Sequence, residues 1–129
     1  MRLLHAAVVS RSEQEADRFY GDLLGLEKTR RSELPAELAD RLFGIEQGCP
    51  IVYYGSSELD LEIEVFMTGR PEVVDARIGH LCLEVVGRAE LLERCGEMGF
   101  AVRQAPKGDY IIYFVEDGDG NLFEIKEKR

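Results

Sequence analysis

One pattern, strand, helix and three strands, is written twice in a chain of 129 residues, and this repeat restricts the fold more than any other feature. Residues 3–9 read as a strand. The SEQEADRFYGDLLG that follows is helical in its spacing, because Ala16, Phe19, Tyr20, Leu23 and Leu24 recur at i, i+3, i+4, i+7 and i+8. Ser12 is placed to cap its start and Gly25 to close its end in the left-handed conformation. LEKTRR begins a second strand, and a charged, partly helical stretch spans 33–42. IVYYG and LDLEIEVF are two further strands joined by a turn at Gly55–Glu58.

After TGRPEVVDAR, a polar connector carrying Gly69 and Pro71, the order starts again. GHLCLEVV is a strand. GRAELLERCGEMG is a helix with the apolar face Leu91, Leu92, Cys95 and Met98, ended by Gly99. FAVRQ, YIIYFVE and NLFEIKE supply three more strands. The expected architecture is a single α+β domain over 1–129, with one βαβββ module at 1–68, a connector at 69–77 and a second βαβββ module at 78–129.

The correspondence reaches single residues. The chain contains two histidines, and each opens a unit: His5 stands 20 positions before Gly25, and His80 stands 19 before Gly99. The last strand of each unit returns a glutamate between apolar neighbours, Ile63-Glu64-Val65 and Phe123-Glu124-Ile125. Such a glutamate carries a burial penalty unless something compensates its charge. Imidazole with carboxylate suits borderline divalent ions such as Ni, Co, Mn, Fe or Zn, so a two-His, two-Glu centre shared between the units is expected. Glu62 has the same strand parity as Glu64, and the period of two does not separate them; Glu62 stands in reserve as the first-unit ligand.

Other features exclude functions. A formal net charge of -9 opposes general nucleic-acid binding, which needs a basic face. The apolar run LLHAAVV is too short for a membrane span. Cys49, Cys82 and Cys95 are odd in number and far apart, which suits a reducing cytoplasm and makes neither a zinc nor a redox motif; Cys82 and Cys95 are expected on apolar faces. DGDGN at 117–121 fails as a calcium loop, since counting from Asp117 puts Leu122 at the glycine position and Lys128 at the bidentate glutamate position. It reads as a hairpin turn. The strand aromatics Tyr53, Tyr54, Tyr110, Tyr113 and Phe114 receive no role beyond packing.

The segments MRLLH, FYGDLLGLEKTR, IEVF, GHLCLEV and FVEDGDGNLFEI resemble, in order and spacing, the vicinal oxygen chelate superfamily. That group includes glyoxalase I, bleomycin resistance proteins, methylmalonyl-CoA epimerase and extradiol dioxygenases, and the chain is most similar to the bacterial glyoxalase I type over essentially its whole length. The resemblance implies the glyoxalase-like fold and a divalent ion (Ni, Co, Zn or Mn) held by His5, Glu64, His80 and Glu124. It favours Glu64 over Glu62 because the family's ligand is usually followed by two apolar residues, here Val65 and Phe66. The implied activity is that of a lyase or isomerase stabilising an enediolate of a small α-oxoaldehyde–thiol adduct. A ligand glutamate, Glu124 first and Glu64 symmetrically, would move the proton between adjacent carbons. A homodimer is also implied, with inter-chain metal sites built from the first unit of one chain and the second of another.

Two positions depart from the pattern. Glutathione-using relatives carry an arginine four residues after the first histidine and an asparagine four after the first glutamate, where this chain has Val9 and Thr68. Arg11 and Lys107 are the other cations considered for an anionic substrate. The rival readings are an epimerase of the methylmalonyl-CoA type and a drug-binding resistance protein without catalysis. Extradiol dioxygenase chemistry is disfavoured, because a second carboxylate would take positions that oxygen and catechol need.

Overall fold

The computed structural model describes residues 4–43, 46–69, 80–107 and 109–129. The chain divides into two compact units, Met1–Pro71 and Glu72–Arg129. Beyond Gly69, the connector expected at 69–77 lies outside the described residues.

The first unit runs β1 (His5–Ser10), α1 (Glu13–Ala16), a π-helical segment (Asp17–Leu23), β2 (Glu27–Leu34), α2 (Ala36–Phe43), β3 (Cys49–Ser56) and β4 (Leu59–Met67). Its sheet has the order β1-β4-β3-β2, with β1 parallel to β4 and the other pairs antiparallel. The second unit runs β5 (Leu81–Val85), α3 (Arg88–Glu97), β6 (Ala101–Lys107), β7 (Tyr110–Glu116) and β8 (Leu122–Glu127). Its order is β5-β8-β7-β6, again with the first and last strands parallel. The sequence repeat is therefore a topological repeat, with α2 as an addition to the first unit.

Strand alternation divides each sheet into a core face and an open face. In the first unit Val52, Tyr54, Ile63 and Val65 are buried together with Ala16, Phe19, Tyr20 and Leu23 of the helix. The Tyr20 and Tyr54 rings lie 5.3 Å apart, and the Tyr54 hydroxyl donates to Asp17 Oδ1 at 2.7 Å. On the opposite face Leu34, Cys49, Ile51 and Tyr53 are buried with Ala39 of α2, with Phe66 packed against them. The added helix thus closes one end of that face and leaves the end bearing His5 open. The second unit has one buried layer, Val115, Phe123 and Ile125 with Cys95 and Phe100.

The first helix departs from the regular α-helix its spacing predicts. Ser12 caps it as expected, its hydroxyl oxygen accepting from Glu15 N at 3.2 Å. From Asp17 onward the turns widen, and Leu24 N donates to Phe19 O, five residues back. The cause is the extra residue between histidine and closing glycine. In α3 the end is a Schellman motif, with Phe100 N bonded to Cys95 O and Gly99 N to Gly96 O, and Gly99 at φ +78°. In the first unit the matching bonds are Leu26 N to Tyr20 O and Gly25 N to Gly21 O, each spanning one residue more. The π segment absorbs the insertion and keeps Gly25, at φ 70°, at the helix end.

The expected turn at 117–121 is also present. Asp117 Oδ1 accepts from Asp119 N at 2.9 Å and Asn121 N at 2.8 Å, and Oδ2 accepts from Asn121 Nδ2 at 2.7 Å. These bonds turn the carboxylate inward to organise the β7–β8 loop.

Candidate metal centre

Each unit brings its histidine to its glutamate. His5 Nε2 lies 3.2 Å from Glu64 Oε2, and His80 Nε2 lies 3.6 Å from Glu124 Oε2. The two pairs are built alike. Glu64 is paired in register with Ala7, two residues after His5, and Glu124 with Cys82, two residues after His80. The imidazole therefore reaches its carboxylate along the same diagonal of a parallel strand pair in both units. His80 is further oriented by Phe114, whose ring meets it edge-on at 5.0 Å.

Glu62, the reserve, is occupied differently. Its Oε2 accepts from Thr29 Oγ1 at 2.9 Å, and its Oε1 lies 3.6 Å from Arg30 Nη2. Glu124 has a cation nearby, Lys126 Nζ at 3.7 Å from Oε1. A cleft of about 380 Å³ in the first unit is lined by His5, Arg30, Leu59, Glu62 and Glu64 among others.

The donor chemistry fits a divalent ion. Both histidines turn Nε2 toward a carboxylate oxygen, and both pairs stand on the solvent-facing side of their sheet, where an added cation would be held by nitrogen and oxygen. Among the described residues, no group of three or more His, Cys, Asp or Glu side chains forms a metal-holding cluster within either unit. One pair supplies two donors.

Cys82 requires a correction. It is exposed rather than set on an apolar face, because alternation places it with Glu84 and Glu124 on the open side of the second sheet. Partial desolvation and then the Glu124 carboxylate push its thiol pKa up, so it is a poor nucleophile there. Cys95 is buried as expected, and burial raises its pKa. Arg11 is exposed after β1, Val9 is paired with Phe66, and Thr68 lies just beyond β4. The Lys107 side chain lies outside the described part of the structure. The sequence did not single out Arg30 and assigned Tyr53 no role beyond packing; the Arg30 guanidinium carbon lies 3.8 Å from the centre of the Tyr53 ring. Their relation depends on a bulge in β2 between Lys28 and Arg30, which sequence alternation does not reveal.

Comparison with known proteins places the fold and the family. Residues 2–125 match the model of the Glyoxalase/Bleomycin resistance protein/Dioxygenase superfamily, and the chain belongs to that superfamily. It is 33% identical over 135 residues to the lactoylglutathione lyase of Salmonella typhimurium, spanning 100% of this chain and 94% of that enzyme. It is 32% identical over 136 residues to the lactoylglutathione lyase of Neisseria meningitidis, spanning 100% of this chain and 92% of that one. A glyoxalase family protein from Bacillus cereus superimposes with a TM-score of 0.73 at 20% identity, over 98% of this chain and 93% of its own. A fosfomycin resistance protein from Listeria monocytogenes, in complex with Mn(II) and 1S,2S-dihydroxypropylphosphonic acid, gives 0.71 at 16% identity, over 97% and 90%. These likenesses establish the glyoxalase-like fold of two βαβββ modules. Among the described residues no helix is long and apolar enough to cross a membrane.

Proposed function

We propose that this protein is a divalent-metal-dependent lyase or isomerase of the glyoxalase type, carrying a small α-oxoaldehyde–thiol adduct or a related substrate through an enediolate. The observation that carries this reading is the duplicated His–Glu diagonal, His5 with Glu64 and His80 with Glu124, in a chain about one third identical to lactoylglutathione lyases. His5, Glu64, His80 and Glu124 would hold the ion, of the Ni, Co, Zn or Mn kind. When bound, it would supply positive charge to two adjacent substrate oxygens as negative charge grows on them.

The chain's own groups supply the proton chemistry. Glu124 is the first choice of base, taking a proton from the carbon beside the carbonyl and returning it to the neighbouring carbon; Glu64 is its symmetric counterpart. Lys126 Nζ lies 3.7 Å from Glu124 Oε1, beside the proposed base. Phe114 limits rotation of His80 and so fixes the line along which Nε2 donates electrons.

Each unit contributes one His and one Glu, so a four-donor site needs two units. We place His5 and Glu64 of one chain with His80 and Glu124 of another, in a two-fold homodimer. The test is turnover by protein loaded in turn with Ni, Co, Mn and Zn, on methylglyoxal adducts of several thiols and on methylmalonyl-CoA. Isomerisation of at least one adduct, lost in Glu124→Gln, is expected. Turnover of methylmalonyl-CoA alone, or of nothing, would overturn the reading.

A further inference from the structure

The cleft beside His5 and Glu64 carries a cation that the proposed chemistry leaves unused, Arg30, among the carboxylates Asp60, Glu62 and Glu64. Arg30 is paired in register with Tyr53, and Tyr53 with Glu64, so the three stand in a row across β2, β3 and β4. Two strand spacings, about 10 Å, separate the Arg30 and Glu64 backbones on the same side of the sheet. The Arg30 guanidinium carbon lies over the Tyr53 ring, 3.8 Å from its centre, a contact that helps orient the group while its side chain stays 58% exposed. Its contact with Glu62 Oε1, at 3.6 Å, is longer than a hydrogen bond, and Glu62 Oε2 is already engaged by Thr29. The planar fork therefore has donors to offer to a ligand in the cleft.

We infer that Arg30 binds a carboxylate of the substrate, so that the substrate class is an acid whose carboxylate sits a few bonds from the reacting carbons. This rests on the proposed function for the position of those carbons at His5 and Glu64. A guanidinium stacked on an aromatic ring matches a carboxylate with two parallel hydrogen bonds, a geometry a lysine does not reproduce. Local donors can hold an anion in this way even in a chain of net charge -9. Arg30 also offers a cation on the first unit's open face, in a chain whose Val9 provides none.

The test compares two hydroxamates of equal chain length, glutaric monohydroxamate with a terminal carboxylate and valerohydroxamate with a methyl group. Binding is measured by calorimetry on nickel-loaded and metal-free protein. Native protein is expected to bind the carboxylate compound about tenfold more tightly. Arg30→Ala should abolish that preference and leave valerohydroxamate affinity and circular dichroism unchanged; Arg30→Lys should restore only part of it. Equal affinities in native protein, a preference that survives Arg30→Ala, or no binding of either compound would overturn the inference. An intact, Arg30-dependent preference in protein that turns over no adduct would instead overturn the catalytic reading and leave the carboxylate site standing.

Discussion

Glu62, not Glu64, is paired with His5 in the β1–β4 register, yet the carboxylate 3.2 Å from His5 Nε2 belongs to Glu64. Side chains in a parallel pair lean along the strand, so the imidazole passes its direct neighbour and meets the residue two positions on. Thr29 holds Glu62 aside through a hydrogen bond to its Oε2, with Arg30 3.6 Å from its Oε1. The same diagonal recurs between His80 and Glu124 in the second unit.

Glutathione hemithioacetal is expected to be a poor substrate. Val9 and Thr68 stand where relatives supply arginine and asparagine, and a buried anion without donors loses several kcal/mol, on the order of 1–3 for each unmet group. Steady-state kinetics should give kcat/KM with this adduct below about 10⁴ M⁻¹s⁻¹, the lower end for ordinary enzymes. A higher value would restore glutathione as the thiol partner.

Acid should weaken the first unit through the Lys28 cluster. Lys28 Nζ lies 2.8 Å from both Glu13 Oε1 and Asp17 Oδ1, and Arg31 also pairs with Glu13. Donation from Lys28 holds Glu13 below its usual range. In Asp17 burial pushes upward, but bonds from Lys28 and Tyr54 overcome it and leave the pKa lowered. A carboxylate depressed on folding contributes stability above its unfolded pKa and loses it as pH falls through the folded one. These groups are partly exposed, so the effect is modest, about 0.5–1 kcal/mol. Urea titrations of Lys28→Met against native protein should show that difference at pH 7 and its disappearance below the carboxylate range. A gap independent of pH would assign the loss to packing of the lysine stem.

Asp117→Ala should destabilise the second unit by about 2–3 kcal/mol, since it removes three bonds and leaves buried donors of Asn121 unmet. Chemical denaturation with an unchanged slope would register this loss. A cost under about 0.5 kcal/mol would show that solvent replaces the carboxylate.

Much of this was legible in the sequence because the repeat supplied two readings of every feature. The histidine at each strand start, the glutamate near each end, the glycines closing both helices and the turn at Asp117 all stand where the pattern puts them. What escaped were features set by one extra residue or by lateral contact. The π segment follows from a one-residue difference in helix length, visible as 20 against 19 but without a stated geometry. The choice between Glu62 and Glu64 turns on Thr29 and Arg30, which come from a strand some thirty residues earlier and carry no periodic signal toward β4. Cys82 read as apolar because its neighbours are, whereas alternation gives it to the other face.

Mixing tests the proposed dimer. Metal-free His5→Ala and His80→Ala chains, mixed and confirmed to exchange subunits, should regain one intact centre per heterodimer and bind metal where neither parent does. Sites within one chain would leave every centre short of a ligand. Metal should also raise the midpoint of unfolding in a manner dependent on protein concentration.

The decisive measurement is an equilibrium titration of Ni(II) or Co(II) into native protein and into His5→Ala, His80→Ala, Glu64→Ala and Glu62→Ala. About one ion per chain is expected for native protein. Affinity should fall roughly 10-fold or more in the first three variants, given what the loss of a supporting contact alone costs a metal site, and should change little in Glu62→Ala. No binding above background in native protein, or a loss in Glu62→Ala that Glu64→Ala does not share, would contradict the assignment of His5, Glu64, His80 and Glu124 as ligands.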